Sequence, residues 1–167
     1  MTRPKAAVLL EKIARIIPGI AGYQDRETCR NTDRIVREKA AQSIRRCREG
    51  ISRTIDGLSR KPGGAGLTSI GPLENLSNRL ERLEDGLRYA VYGYAGWFSS
   101  TGVMLEDLER LYQYDLDLLA RAESIFDVLP GPGDTGGDAG WIPRLSEEID
   151  LLLQAVEDRR KVLEGEG

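Results

Sequence analysis

The chain has 167 residues, 31% charged and 6% aromatic, and its 24 Lys and Arg against 27 Asp and Glu leave a net charge of −3. That length predicts one domain with a sizeable core, and high charge with few aromatics suits long amphipathic helices better than a β-sandwich. There is no histidine, which removes the commonest general base, the Ser-His-Asp and Cys-His nucleophile arrangements and most zinc sites.

The charge is unevenly spread. Residues 24–61 hold eleven basic and six acidic side chains, whereas residues 104–167 hold six basic and sixteen acidic ones. Two readings follow: the basic and acidic ends attract each other within one bundle, or the basic part presents a face to an anionic partner. An acidic whole molecule argues against non-specific nucleic-acid binding. Cys29 and Cys47 lie 18 residues apart, about 27 Å on one continuous helix. A disulfide needs Cα atoms within about 7 Å, so the expectation is two buried free thiols and a cytoplasmic protein. The opening stretch does not read as a secretory signal, because Glu11, Lys12 and Arg15 interrupt it, and no 18-residue apolar run exists to span a membrane.

In chain order, Ala6, Leu9, Leu10, Ile13, Ile16 and Ile17 fall at helical spacing and predict a short amphipathic helix over about 4–17, ended by Pro18-Gly19. A second, long helix is predicted over 24–58, with Ala40, Ile44, Cys47, Ile51, Ile55 and Leu58 as a seam of coiled-coil type. Gly50 and Gly57 weaken it by about 1 kcal/mol each; close approach of another helix would explain both. Residues 61–68 read as a flexible linker. A third helix starts near Ser69 or Gly71, with Pro72 in its first turn and Leu73, Leu76, Leu80, Leu83, Leu87 and Ala90 on one face. An aromatic stretch with two glycines follows, over residues 89–98. The fourth helix, over about 103–129, carries the stripe Leu105, Leu108, Tyr112, Leu116, Leu119, Ala122 and Phe126. A flexible Gly-rich loop over 130–143 leads to a fifth helix, over about 144–163, with Leu145, Ile149, Leu152, Val156 and Leu163 aligned. No run alternates with period two, so no sheet is predicted. The expected fold is all-α: an up-and-down bundle of four main helices plus the short N-terminal amphipathic helix, in one domain over 1–167.

No motif reaches an enzymatic claim. Lys61-Pro62-Gly63-Gly64 lacks the Gly-Lys-Ser/Thr and the preceding strand of a phosphate loop, and a ferritin-like di-iron site needs Glu-x-x-His pairs. Asp115 and Asp117 are two apart and so do not face each other on a helix; the expectation is charge on a solvated face. No catalytic residue, metal site, cofactor or small-molecule substrate is expected.

Three features could form a binding surface. Tyr92, Tyr94, Trp97 and Phe98 either plug the end of the bundle or serve as interface anchors. Arg26, Arg30, Arg34 and Arg37 step by three or four along one side of the second helix; they pair with the acidic last third or meet an anionic partner or lipid headgroup. The first helix and the turn ending in Tyr23 either dock on the bundle or lie on a membrane surface.

The segments Pro-Gly-Ile-Ala-Gly-Tyr-Gln-Asp-Arg-Glu at 18–27 and Arg-Tyr-Ala-Val-Tyr-Gly-Tyr-Ala-Gly-Trp-Phe at 88–98, with Thr32-Asp33, Leu108, Leu111-Tyr112 and Tyr114-Asp115, resemble a family of uncharacterised bacterial all-helical proteins. The likeness covers roughly residues 15–120. It implies a helical fold and a bacterial origin, with no established activity. The functional expectation is therefore a non-enzymatic cytoplasmic bundle that binds another protein or itself. The alternative is a peripheral membrane-surface factor using the first helix and the arginine stripe.

Overall fold

The computed structural model describes residues 4–92, 105–131 and 139–165. Among them every regular element is helical: α1 (Lys5–Ile16), α2 (Arg26–Ser59), a one-turn 3-10 helix (Pro62–Gly64), α3 (Leu67–Arg88), α4 (Leu105–Asp127) and α5 (Trp141–Glu164). None is long and apolar enough to cross a membrane.

The local chemistry explains most boundaries. Asp25 caps α2: its carboxylate accepts from the Glu27 and Thr28 amides, both at 2.9 Å, while the Thr28 hydroxyl accepts from the Asp25 amide at 2.9 Å. This reciprocal box satisfies amides that a helix start leaves without partners. The stretch between α2 and α3 is shorter than expected. Gly66 lets the chain pass so close to Leu58 that an added Cβ would meet the leucine's side chain and its carbonyl. Helix α3 therefore begins at Leu67, and Pro72 lies inside it rather than at its start, leaving the Thr68 carbonyl without the usual amide donor. Likewise α5 begins at Trp141, so the end of the supposed loop is its first turn.

The main helix interfaces pair α2 with α3, α2 with α4, α4 with α5, α3 with α5 and α1 with α4. Contacts across α2 and α3 run in opposite senses: Arg48 reaches Glu81 and Glu84 at 2.7 and 2.8 Å, and Arg37 reaches the Leu87 carbonyl. Across α2 and α4 they run in the same sense. Ser43 and Arg46 reach Glu123, each at 2.8 Å, Cys47 donates to the Ile125 carbonyl at 3.7 Å, and Gly50 faces Leu129. Sequence neighbours α3 and α4 share no main interface.

The predicted seams of α2 and α3 are buried except at Ile55, which is half-buried, and at Ala90, which is half-buried beyond the end of α3. The predicted seam of α4 is turned: Leu105 is 57% exposed, and the buried face is Leu111, Tyr112, Asp115, Leu118, Leu119, Ala122 and Ile125. Helix α4 meets α1, α2 and α5 at once, so it needs a broader buried face than a single stripe. Helix α1 buries Ala6, Leu9 and Ile13 against this core. Both cysteines are buried and free, and burial pushes their thiols up to about 12.

Only one of the two α2 glycines has the expected cause. A Cβ at Gly50 would run into Leu129, whereas one at Gly57 would meet nothing. Gly57→Ala is therefore expected to stabilise the protein by about 0.5–1 kcal/mol through helix propensity alone, read as a higher urea midpoint with an unchanged slope.

Candidate functional site

Polar side chains converge where the N-terminal half of α2 meets α4, α5 and the end of α3. At the centre lies Arg159 of α5, 1% exposed. Its Nη1 donates to Asp33 Oδ1 at 2.7 Å, its Nε to Asp115 Oδ1 at 2.6 Å and its Nη2 to the Tyr23 hydroxyl at 3.2 Å. The Tyr23 hydroxyl donates in turn to Asp115 Oδ2 at 2.6 Å. Asp33 accepts a second charged bond, from Arg37 Nε at 3.0 Å, and Arg37 also donates to the Leu87 carbonyl. The Tyr92 ring lies 5.6 Å from the Arg37 guanidinium carbon, within cation–π range. Two carboxylates and two guanidinium groups thus balance, all four buried.

The α1–α2 turn is tied in by polar contacts. The Thr32 hydroxyl donates to the Gly22 carbonyl at 2.8 Å, the Tyr23 amide donates to the Tyr112 hydroxyl at 3.3 Å, and the Tyr23 and Tyr112 rings lie 5.5 Å apart. Gly22 has φ +82°, and a Cβ there would strike the Tyr112 hydroxyl and Leu10. Gly22→Ala is therefore expected to cost about 1–3 kcal/mol, because it combines left-handed backbone strain with a steric clash. Gly19, at φ +80° with open space around it, should lose less on the same change. Parallel urea unfolding of the two variants reads the difference.

Burial shifts the titrations, and the neighbours decide how far. Burial pushes the Tyr23 phenol well up, and the Asp115 charge adds to it, so Tyr23 stays a hydrogen-bond donor. Burial also raises the Asp115 carboxyl, against the pull of Arg159 and the Tyr23 bond. For Arg159 burial opposes the charge, but Asp115, Tyr23 and Asp33 outweigh it and hold the guanidinium charged. No fully buried side-chain N or O of the cluster lacks a bond; among the described residues the only such atom is Arg48 Nε, elsewhere in the fold. The arrangement locks α2, α4, α5, the α1–α2 turn and the end of α3 in one relation. Among the described residues no three Cys, Asp or Glu side chains stand together to hold an ion.

The structure therefore divides the residues expected at a partner surface. Tyr23, Arg37 and Tyr92 come together, and Tyr23 and Arg37, at 2% and 6% exposed, belong to the interior. Arg26, Arg30 and Arg34 do lie exposed along α2, around a shallow depression, with Arg34 bonded to Asn31 and Glu38 of its own helix. Tyr94, Trp97 and Phe98 lie outside the described residues. The expectation that Asp115 sits on a solvated face is corrected: it is fully buried, and its partner is Arg159 of the next helix. Asp117 is the surface residue of the two and pairs with Arg121.

Asp115 was expected on a solvated face, Asp33 entered only through the family resemblance, and Arg159 was given no role. Asp33 falls between Cys29 and Arg37, Asp115 between Leu111 and Leu118, and Arg159 in the gap between Val156 and Leu163. Opposite charges occupying seam positions in different helices were the available signal.

One outer surface of the same region is open. Helices α3 and α5 frame a groove of about 630 Å³, floored by Leu83, Gly86 and Val156 and edged by Val91, Leu153 and Arg82. Val91 is 92% exposed and Leu153 40%. Compared with known proteins, the chain matches no family model, no curated protein and no solved structure, so what it does has to be argued from its own residues.

Proposed function

We propose that this chain is a non-enzymatic cytoplasmic binding module: a bundle of four long helices, with α1 laid against it, that presents a rigid surface to another protein or to a second copy of itself. One observation carries this reading. The side chains that converge are sealed and neutralise one another, while the groove between α3 and α5 turns apolar groups outward beside arginines, the composition favoured at interface cores. The membrane-surface alternative is weaker, because Ala6, Leu9 and Ile13, the face α1 would give to a bilayer, already face α4, and Arg37 is committed to Asp33.

The test is affinity purification of the full chain from its native host, paired with light scattering at low and high salt. The expected result is a partner, or a dimer, lost with Leu153→Asp while the melting temperature holds. A strict monomer that retrieves nothing in a salt-independent way overturns the reading.

A further inference from the structure

We propose that α1 is an exchangeable arm: the α4 face it covers also seats the α1 of a second copy, so that two chains trade arms and close a two-fold pair. This goes beyond the reading above and concerns another face of the fold. The pairing of helices supplies the first argument. Helices α2, α3, α5 and α4 close a ring of four interfaces, whereas the main interface of α1 is with α4 alone. The ring does not pass through α1, so α1 leaves its seat without opening any of those four interfaces.

The path of the chain supplies the second. Lys5 pairs with Glu109 at 3.9 Å, near the start of α4, and Ile16 lines a depression with Leu119, Ala120 and Asp127, toward its end. Helix α1 therefore runs in the same sense as α4, as α2 does, and the link between α1 and α2 must double back. Two glycines in the left-handed region, Gly19 at φ +80° and Gly22 at φ +82°, make the reversal. They differ in what holds them. The Gly22 carbonyl accepts from Thr32 at 2.8 Å, and Tyr23 beside it enters the buried charge cluster. Gly19 is exposed, with nothing within 4 Å of an added Cβ. Rotation at Gly19 swings α1 outward while the chain from Gly22 onward stays pinned.

The seat supplies the third, because its occupant is known. Ala6, Leu9 and Ile13 of α1 are buried against the core, and the Lys5–Glu109 pair lies at the rim. The α1 of a second copy carries the same side chains, so it fits by the contacts already made within one chain. The tether holds α1 near its own seat at an effective concentration of about 1 mM. The closed form therefore prevails in dilute solution, and exchange sets in as the chain itself approaches that concentration.

The experiment mixes two full-length variants, Lys5→Cys on unlabelled chains and Glu109→Cys on isotope-labelled ones, so any link between positions 5 and 109 joins two molecules. The native Cys29 and Cys47 are buried and stay out of the reaction. The mixture is held at about 1 mM, diluted to micromolar and treated at once with a short bismaleimide, and the linked peptides are read by mass spectrometry. A link between positions 5 and 109 that joins an unlabelled to a labelled peptide, and grows with the concentration of the mixture, is the expected result. Gly19→Val in both chains should raise its yield about ten-fold, because a β-branched residue at positive φ strains the closed turn and an opened arm leaves that conformation. Leu153→Asp in both chains should leave the yield unchanged. A link lost with Leu153→Asp belongs to the groove between α3 and α5; it overturns this proposal and spares the protein-binding reading. Absence of the link at every concentration, in the Gly19→Val chains as well, also overturns it, as does a yield that Gly19→Val leaves level.

Discussion

Arg159→Met should destabilise the fold by about 3–5 kcal/mol at neutral pH, the largest single loss expected outside the apolar core. The methionine nearly preserves volume but removes three bonds, to Asp33, Asp115 and Tyr23. What remains is two carboxylates, both fully buried; among the described residues Asp33 keeps its ion pair with Arg37 and Asp115 loses its ion pair with Arg159. The cost is mostly that of an uncompensated buried charge rather than the net worth of the ion pairs. Equilibrium urea unfolding measures it; a loss below about 1 kcal/mol would mean that the cluster is solvated and not the tie between helices described above.

The same variant has a pH signature whose sign is fixed. Burial already raises the Asp115 carboxyl above its ordinary 3.8, and Arg159 is the strongest influence holding it down. Without Arg159 the folded state binds that proton still more tightly than the unfolded chain. A group whose folded pKa is raised costs stability as pH climbs from its unfolded value through its folded one. The deficit of Arg159→Met relative to the parent should therefore be greatest near neutrality and shrink as pH falls toward 4. Stability curves at several pH values, compared between the two proteins, read this directly.

Ile44→Ala should cost about 2–5 kcal/mol, through lost apolar burial and the cavity left behind. Ile44 is fully buried in the middle of α2, the helix that meets both α3 and α4. Against a total stability of about 5–15 kcal/mol, that is enough to lower the thermal midpoint by many degrees. No titratable group is involved, so the deficit should be flat over the pH range in which that of Arg159→Met changes. The exposed Leu67, at 59%, makes a matched control: Leu67→Ala should change stability by less than about 0.5 kcal/mol.

The apolar spacing of Leu73, Leu76, Leu80, Leu83 and Leu87 was enough to place α3 and its buried face, because a helix of period 3.6 records its burial locally. The same holds for Ile44, Cys47 and Ile51 in α2 and for Ala6, Leu9 and Ile13 in α1. Boundaries were read less well where distant residues set them. The start of α3 depends on Gly66 meeting Leu58, and Pro72, which looked like a first-turn residue, lies a turn and more inside. The stripe from Leu105 to Phe126 lies askew of the buried face because strict three-to-four spacing picks out one narrow stripe, whereas α4 packs against α1, α2 and α5 at once.

By itself, then, the sequence determined that this chain is helical, roughly where each helix lies and that its thiols are buried, since all of these follow from side-chain period and turn chemistry along a few residues. Only the tertiary structure decided where the seam charges go. Asp33, Asp115 and Arg159 stand up to 126 residues apart in pairwise separation, and a buried charge is tolerable only if its counter-charge arrives from another helix at hydrogen-bonding distance. Local spacing carries no record of that meeting. It also carries none of the groove, whose two walls become neighbours only when α3 and α5 are laid side by side.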